Sequence, residues 1–321
     1  MTEVFISFRV MENQCILTLN STEREILTAM YVVIFLIGVL SNVATLRTFK
    51  QAEKNAAFIY MKNITVSDLL LSLSLLFRAV YYLKSDEWAP ETLCIFITFV
   101  TVSVFHVNMY CSILFLLWTG ISRYAIIVKH KFSILHSIVK PKVIVVVCIV
   151  TWIVPAMCIG PLILYYTVNS QINATSCYDL IINKRRKTFM NAHVFVTVIF
   201  FLILLFLLVI YALLVYHLHQ LQKNSMIAKR HSTIVEICRK LFTSIMVFII
   251  CFVPYHIQRL LQITFDDNYC QWYQMLNKVK SGVILVASLS CCIHPLLHLC
   301  FRSKFCKSKD APRKKEHYQL H

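Results

Sequence analysis

The stretch FHVNMYCSILFLLWTGISRY, from Phe105 to Tyr124, decides the fold of this chain. It is about twenty residues long and almost wholly apolar, which is the length that an α-helix needs to cross the hydrocarbon core of a bilayer. Arg123 stands at its end. A charge at the end of a membrane helix is costly to hold there unless it has a function. The stretch therefore predicts a membrane-spanning helix with a functional arginine at one end.

The composition of the rest of the chain extends this prediction to the whole molecule. The chain has 321 residues, of which 58% are hydrophobic and 15% are charged. Soluble domains are nearer to about half apolar and about a quarter charged. Four glycines leave little turn chemistry for a globular α/β or all-β fold. We therefore expect one all-α integral membrane domain, with room for about seven spans and for no second domain.

The net charge of +17 could suggest a nucleic-acid partner. Basic residues also flank membrane helices on their cytoplasmic side, and this explanation is better because no soluble module is available to carry a nucleic-acid surface. We expect membrane lipid as a partner and no nucleic acid. Catalysis is not expected, because the chain has no Gly-rich phosphate loop and its 12 histidines are scattered without metal-ligand spacing.

Seven apolar segments are predicted to span the membrane. They are Leu27–Phe49, Phe58–Leu83, Leu93–Ala125, Lys142–Tyr165, Phe189–Leu218, Val235–Phe265 and Met275–Phe301. Residues 1–26 are then an extracellular N-terminal segment, residues 27–301 the membrane domain, and residues 302–321 a cytoplasmic tail. The N-terminus lacks a basic region followed by an apolar run, so the first span is expected to act as its own insertion signal.

The orientation follows from lysine and arginine in the segments between spans. These residues favour one side by roughly two to one, and the positive-inside rule places that side in the cytoplasm. The N-terminus is therefore expected outside and the C-terminus inside, in the plasma membrane. The sequons at Asn20 and Asn173 then lie outside, where glycosylation occurs.

The 13 cysteines divide by compartment. In this topology only Cys15, Cys94, Cys177 and Cys270 face the oxidising side, and four cysteines allow three pairings. Cys306 follows the last span at the membrane face, where it is either a palmitoylation site or an ordinary thiol.

Polar motifs recur through the spans in a fixed order. They are Gly38-Val39-Leu40-Ser41-Asn42, Asn63-Ile64-Thr65-Val66-Ser67-Asp68, Ser122-Arg123-Tyr124, Trp152 with Pro155, Cys251-Phe252-Val253-Pro254-Tyr255, and His294-Pro295-Leu296-Leu297-His298. Each motif alone is weak. In this order and spacing they resemble the rhodopsin-like (class A) G-protein-coupled receptors over nearly the whole chain. The resemblance implies a seven-helix bundle with a short amphipathic eighth helix, and a heterotrimeric G protein as partner.

A narrower resemblance lies in Phe105–Tyr110 and Cys251–Arg259. Both look like the nucleotide-receptor (purinergic-like) branch, which also holds leukotriene, lysophospholipid and orphan receptors. This branch implies that His106, Met109 and Tyr110 face a ligand pocket. It also implies two outer disulfides, Cys94–Cys177 and Cys15–Cys270. Closing the first of these loops is worth roughly 4–5 kcal/mol in the chain-entropy model.

Cations at the outer end predict the ligand's charge. His256 and Arg259 are three residues apart and share a helix face. Lys280 begins the seventh span, and Arg78 lies in the outer half of the second. These cations form a rim above an aromatic pocket that includes Phe105 and Tyr255. The arrangement suits an anionic ligand, because the guanidinium group of arginine can bind two carboxylate or phosphate oxygens. The alternative is that Arg78 and Arg259 snorkel to lipid headgroups.

The inner half carries a second polar group of residues. The resemblance implies a sodium ion held by Asp68 and Ser112, with Asn42 nearby, since a hard cation takes oxygen ligands. No other cofactor is expected. His294 departs from the family pattern. If it is protonated it would pair with Asp68 and compete with sodium, and if it is neutral it could still hydrogen-bond the carboxylate.

The residues expected to switch the receptor also depart from the family. Arg123 and Tyr124 are present, but Ser122 stands where the family has an acid, so Arg123 lacks its resting ion pair. His298 replaces a tyrosine of the inner activation network, whereas Tyr211 on the fifth span remains. These departures predict either weak coupling or high basal signalling.

Two other functions remain open from the sequence. A non-signalling binding or scavenging receptor of the same fold would explain the altered switch residues. A transporter or channel would need internal repeats and polar lines through several spans, and neither is visible.

Overall fold

The structure is a computed structural model that describes residues 20–49, 56–84, 91–127, 137–169, 186–223, 228–264 and 270–309. The described residues are helical almost throughout and contain no strand. The helices are α1 (Ser21–Phe49), α2 (Ala56–Lys84), α3 (Glu91–Ile127), α4 (Pro141–Asn169), α5 (Arg186–Lys223), α6 (Ala228–Thr264), α7 (Cys270–Ser288) and α8 (Ser290–Lys309).

Within these described segments, seven helical spans are long and apolar enough to cross a membrane. Six are α1 to α6, and the seventh runs from Lys278 to Cys300 across the junction of α7 and α8. The helix α8 continues beyond that span to Lys309 and supplies the short C-terminal helix. The predicted all-α, seven-span fold is therefore confirmed.

The helices extend beyond the predicted spans. The first begins at Ser21 rather than Leu27, because Asn20 and Glu23 start it in polar sequence. The backbone N–H of Asn20 donates to Glu23 Oε2 at 3.1 Å, which is one half of a capping box. Hydropathy detects only the part of a helix that lies in lipid, so it missed this first turn.

The helix α3 lies at the centre of the bundle and packs against α2, α4, α5 and α6. Its side chains Met109, Ile113 and Phe115 are fully buried. The helices α4 and α5 instead expose much of their apolar surface, as expected of lipid-facing helices. The outer end of the bundle is the end where α1 begins and α2 ends, and the inner end is the opposite one.

Gly38 sets the approach of α1 to α2. A Cβ atom placed on Gly38 would collide with Ser72 Oγ and would lie 3.0 Å from Ser72 Cβ. Small residues at a membrane helix interface let the backbones come close, which replaces the hydrophobic driving force that lipid does not supply. Gly282, in contrast, has open space where its Cβ would lie.

Two prolines release backbone carbonyls that neighbouring helices then satisfy. Proline has no N–H, so Pro295 leaves the carbonyl of Cys291 without its helical donor. Asn42 Nδ2 of α1 donates to that oxygen at 2.8 Å. Likewise Pro155 leaves the carbonyl of Thr151, and Cys111 Sγ of α3 lies 3.3 Å from it as donor.

Candidate functional site

A group of aromatic residues, here called the aromatic floor, lies at the outer end of the bundle. Phe105 and Tyr255 are buried and cross edge to face, with ring centroids 5.3 Å apart. His106 Nδ1 lies 2.7 Å from the carbonyl oxygen of Val102, which can only accept, so Nδ1 carries the proton. In the neutral ring Nε2 then accepts from the Tyr255 hydroxyl at 2.8 Å. This bond connects α3 to α6 directly beneath the outer cations.

Arg78 extends from α2 over this floor. Its guanidinium carbon lies 5.7 Å from the ring centre of Tyr31 and 5.9 Å from that of Phe105. Both distances suit a cation–π interaction. Only 5% of the residue is exposed, so Arg78 points into the bundle rather than toward lipid headgroups.

Arg259 reaches the same floor from α6. Its Nη1 donates to Gln262 Oε1 at 3.2 Å, and its Nη2 lies 3.4 Å from His193 Nε2 on α5. Tyr255 lies one helical turn before Arg259 on the same face of α6. Two arginines from different helices therefore converge on one aromatic floor.

The remaining residues predicted for the ligand lie around this core. His256 is 2% exposed and stacks on Phe200 of α5 with ring centroids 3.8 Å apart, so it shares with Arg259 the face that meets α5. Met109 is fully buried. Tyr110 donates its hydroxyl to the carbonyl of Val196 at 3.2 Å. These contacts join α3, α5 and α6 at the outer end.

Lys280 is half-buried on α7. Its neighbour Lys278 is exposed and lies 2.8 Å from Glu23 Oε1 at the start of α1. The predicted ligand role of Lys280 stays a prediction.

The inner polar group centres on Asp68, which is 1% exposed. Asn108 Nδ2 lies 3.0 Å from Asp68 Oδ1 and 3.0 Å from Ser67 Oγ. His294 Nδ1 lies 3.2 Å from Asp68 Oδ2. Both oxygens of the buried carboxylate are thus engaged by nitrogen atoms from α3 and α8.

The other residues predicted for sodium do not complete an oxygen shell around Asp68. Asn42 donates to the carbonyls of Gly38 and Cys291, both at 2.8 Å. Ser112 Oγ is buried and makes no hydrogen bond within the described part of the chain. A hard cation needs oxygen ligands, and His294 takes one of the two that Asp68 offers. A sodium ion at Asp68 would compete with the His294 contact, and the sodium site stays a prediction.

The switch residues lie at the inner end of the bundle. Ser122 is fully buried, and its hydroxyl donates to the carbonyl of Thr119 at 2.9 Å. Tyr124 meets His217 of α5 edge to face at 5.3 Å. Tyr211 stacks on Phe242 of α6 at 5.6 Å, and the ring of His298 lies 4.7 Å from that of Phe49. Arg123 is half-buried on the turn between Ser122 and Tyr124.

Several predicted residues lie outside the described part of the structure. They are Cys15, Cys177 and Asn173, together with the side chains of Cys270 and Cys306. Cys94 is disulfide-bonded and fully buried. Asn20 is exposed immediately before α1, where its amide is accessible. The two disulfide pairings, the glycosylation and the palmitoylation stay predictions.

Three contact residues were missed by the sequence reasoning. Asn108 holds Asp68, His193 contacts Arg259, and Tyr31 lies beneath Arg78. A buried polar side chain at membrane depth is itself a functional signal, and Asn108 carries it. His193 and Tyr31 carry no such signal, because their contacts depend on how their helices are rotated.

Comparison with known proteins agrees with this architecture. A family model for the 7 transmembrane receptor (rhodopsin family) matches residues 37–298. Among curated proteins, probable G-protein coupled receptor 34 of Mus musculus is 28% identical, over 88% of this chain and 75% of its own length. Purinoceptor 14 of Bos taurus is 30% identical, over 92% and 88%. Cysteinyl leukotriene receptor 1 of Mus musculus is 28% identical, over 90% and 82%.

These relatives are receptors and not enzymes, and they align along most of the chain. The matched family has heterotrimeric G proteins and extracellular ligands as its partners. The chain is therefore a multi-pass receptor of the plasma membrane, and it belongs to the rhodopsin family of seven-transmembrane receptors, in the purinergic-like branch.

Proposed function

We propose that this receptor binds a small anionic ligand at its outer end and answers by activating a heterotrimeric G protein. The observation that carries the proposal is the position of two arginines at one aromatic group: Arg78 lies over Phe105, and Arg259 lies one turn beyond Tyr255 on α6. In this arrangement the outer end faces the extracellular space, so the N-terminus is outside and the C-terminus is cytoplasmic. The excess of lysine and arginine at the inner end supports that orientation.

The burial of Arg78 supports a ligand role over snorkelling. A snorkelling arginine keeps its charged head in water or among headgroups, whereas Arg78 is 5% exposed and lies over two aromatic rings. A ligand carboxylate or phosphate between Arg78 and Arg259 would accept two charge-assisted hydrogen bonds from each guanidinium group.

The ligand that fits joins an acidic group to a ring or chain. The acidic group would meet Arg78, Arg259 and Lys280, and the apolar part would lie on Phe105 and Tyr255. Nucleotide-like molecules and lysophospholipids or lipid acids have this form. Two of the relatives are named as a purinoceptor and as a cysteinyl leukotriene receptor, which supports the same two classes.

Signalling would follow from a shift between two packings of the helices. The His106–Tyr255 hydrogen bond joins α3 to α6 beneath the ligand, and Arg123 and Tyr211 lie on α3 and α5 at the inner end. A ligand that binds one packing more tightly raises its population in proportion to the difference in affinity. The G protein would then engage Arg123 and the basic segments around it.

The test is ligand-stimulated G-protein activation in cells. Pools of nucleotides, nucleotide sugars, lysophospholipids and lipid acids are applied to the receptor and to Arg259→Ala. A charged hydrogen bond is worth about 1.5–3 kcal/mol, so the active pool should lose about tenfold to a hundredfold in potency. Lys278→Ala is the matched control, since it removes an outer cation that is joined to Glu23.

An equal response in Arg259→Ala and Lys278→Ala would contradict the anion site. Silence from every pool, with receptor detected at the cell surface, would contradict the ligand classes named above.

A non-signalling binding or scavenging receptor is the second candidate. Ser122 and His298 replace two residues of the family's usual switch. The Ser122 hydroxyl donates within its own helix, and the His298 ring packs against Phe49. This candidate requires saturable binding of the active pool without G-protein activation. Basal activity that falls after mutation of the inner segments would count against it.

A further inference from the structure

Two buried glutamines lie beside Arg259 on α6. Gln258 is 2% exposed and Gln262 is 7% exposed. Neither belongs to the residues that the sequence predicted for ligand binding. A polar side chain that is buried in a membrane helix is costly and marks a functional position. The contacts of the two amides therefore indicate what they do for Arg259.

The two amides form one chain of hydrogen bonds with Arg259. Gln262 Oε1 accepts from Arg259 Nη1 at 3.2 Å and from Gln258 Nε2 at 3.3 Å. These partners are three and four residues apart, so they are neighbours on the helix surface. Gln258 Nε2 also donates to the carbonyl oxygen of Leu276 on α7 at 3.1 Å. A guanidinium can only donate and a carbonyl can only accept, so these contacts fix the orientation of both amides.

This chain of contacts connects three helices at the outer end of the bundle. On one side, Arg259 Nη2 lies 3.4 Å from His193 Nε2 on α5. On the other side, the chain ends at Leu276, which precedes Lys280 by one turn of α7. The guanidinium of Arg259 is thus held between two neighbours, and α6 is fastened to the turn of α7 that leads to Lys280.

The amide of Gln258 is not needed to satisfy the backbone of α7. The carbonyl of Leu276 lies inside that helix, where it accepts from the N–H four residues later. Gln258 Oε1 is buried and makes no hydrogen bond within the described part of the chain. A buried acceptor without a donor lowers the free energy of unfolding. An apolar side chain of the same length should therefore be at least as stable here, so the amide serves something other than stability.

We propose that Gln262 and Gln258 are positioning residues of the anion site, an inference that rests on the proposed function. Gln262 holds the Arg259 guanidinium in place before a ligand arrives. Gln258 holds Gln262 and sets the position of Arg259 relative to the turn of α7 that carries Lys280. A long side chain that is already ordered loses less conformational freedom on binding. The two amides therefore raise the affinity for an acidic group without contacting it.

The first test is a double-mutant cycle between Gln262 and Arg259. Potency in G-protein activation is measured with the pools of nucleotides, nucleotide sugars, lysophospholipids and lipid acids. Gln262→Met keeps the length of the side chain and removes the amide. It should lose about threefold to tenfold in potency, which is the cost of ordering one long side chain on binding. In the Arg259→Ala background it should lose nothing further, because a positioning residue acts only through the side chain that it positions.

The second test needs no ligand. Amide hydrogen exchange of the purified receptor measures how firmly α7 is held, and Gln258→Met removes the contact with Leu276. We expect exchange in α7 to become about twofold to tenfold faster, while the melting temperature stays equal to that of wild type or rises. Gln220→Met is the matched control, since Gln220 is exposed on α5 and donates to the Tyr216 hydroxyl of its own helix at 2.9 Å. It should change neither exchange in α7 nor potency.

Three results would overturn the inference and leave the anion site standing. They are an equal loss of potency from Gln262→Met with and without Arg259, unchanged exchange in α7 of Gln258→Met, and a lower melting temperature of Gln258→Met, which would assign its amide to stability. Silence of the wild type to all four pools would instead contradict the proposed function, and with it the role of the two amides in ligand binding.

Discussion

His294 Nδ1 and Asp68 Oδ2 lie 3.2 Å apart, with 8% and 1% of their side chains exposed. The contact joins α8 to α2 across the middle of the bundle. A carboxylate can only accept, so His294 holds its Nδ1 proton toward Asp68 in either charge state. The imidazole thereby occupies a position where the wider family has asparagine or aspartate, and it would compete with a cation for Asp68 Oδ2.

Replacing His294 should make the inner cluster sensitive to sodium. His294→Asn removes the ring nitrogen from Asp68 Oδ2 and supplies an amide oxygen, which a hard cation accepts. We expect the melting temperature of the purified variant to rise with sodium relative to choline, and the wild type to respond less. Asp68→Asn in the same background should abolish the response. Equal sodium responses in wild type and His294→Asn would contradict this account.

Adding one methyl group at Gly38 should destabilise the bundle. The Cβ of Gly38→Ala would collide with Ser72 Oγ, and overpacking a well-packed site costs about 1–3 kcal/mol. That cost exceeds the gain of about 0.5–1 kcal/mol from replacing glycine by alanine in a helix. We expect a lower melting temperature for Gly38→Ala. Gly282→Ala has open space around its Cβ and should be as stable as wild type or more stable.

Loss of the disulfide at Cys94 should cost more than loss of an ordinary thiol. Cys94→Ser breaks a buried bridge, and removing a native disulfide typically costs about 2–5 kcal/mol. The matched control is Cys158→Ser, which changes an exposed free thiol. Peptide mapping without reduction should link Cys94 to Cys177. A peptide linking Cys94 to Cys15 or Cys270 would show that the predicted pairing is wrong.

An acid restored beside Arg123 should lower basal signalling. Ser122 now donates to the carbonyl of Thr119, so its hydroxyl is committed to its own helix. Ser122→Asp places a carboxylate next to the Arg123 guanidinium. If this ion pair stabilises the resting packing by about 1 kcal/mol, basal activity should fall about fivefold. Guanine-nucleotide exchange in membranes measures this. Ser122→Ala removes the hydroxyl without adding charge, and equal basal activity in the two variants would contradict the prediction.

The fold could be predicted because lipid imposes a strong pattern. Each span needs about twenty apolar residues with internally satisfied backbone, and all seven predicted segments correspond to helical spans. The ends could not be predicted so well. The first turn of α1 at Ser21 is polar, and so are Glu91 and Thr92 at the start of α3. A hydropathy pattern does not detect the part of a helix that extends beyond the lipid.

The candidate site was predicted as a set of residue types but not as a set of contacts. Arg78 and Arg259 could be found because charge in an apolar span is rare. Their partners could not, because the contacts of Tyr31 and His193 depend on the rotation of α1 and α5 about their axes. Asn42 and Asp68 both lie inside the bundle as expected. The partner of Asn42 is nevertheless a carbonyl released by Pro295, a pairing that no local pattern in α1 reveals.

The carbonyls released by Pro155 and Pro295 also give the chain an order of assembly. Cys111 on α3 has already been synthesised when α4 brings in the carbonyl of Thr151. The carbonyl of Cys291 arrives with the last helix, and its donor, Asn42, lies on the first. A carbonyl without a hydrogen bond in hydrocarbon costs several kcal/mol. The bundle satisfies the Cys291 carbonyl only when α8 packs against α1. A chain cut short before α8, or one that fails to insert α1, never forms this hydrogen bond. The side-chain amide of Asn42 thereby links completion of synthesis to closure of the bundle.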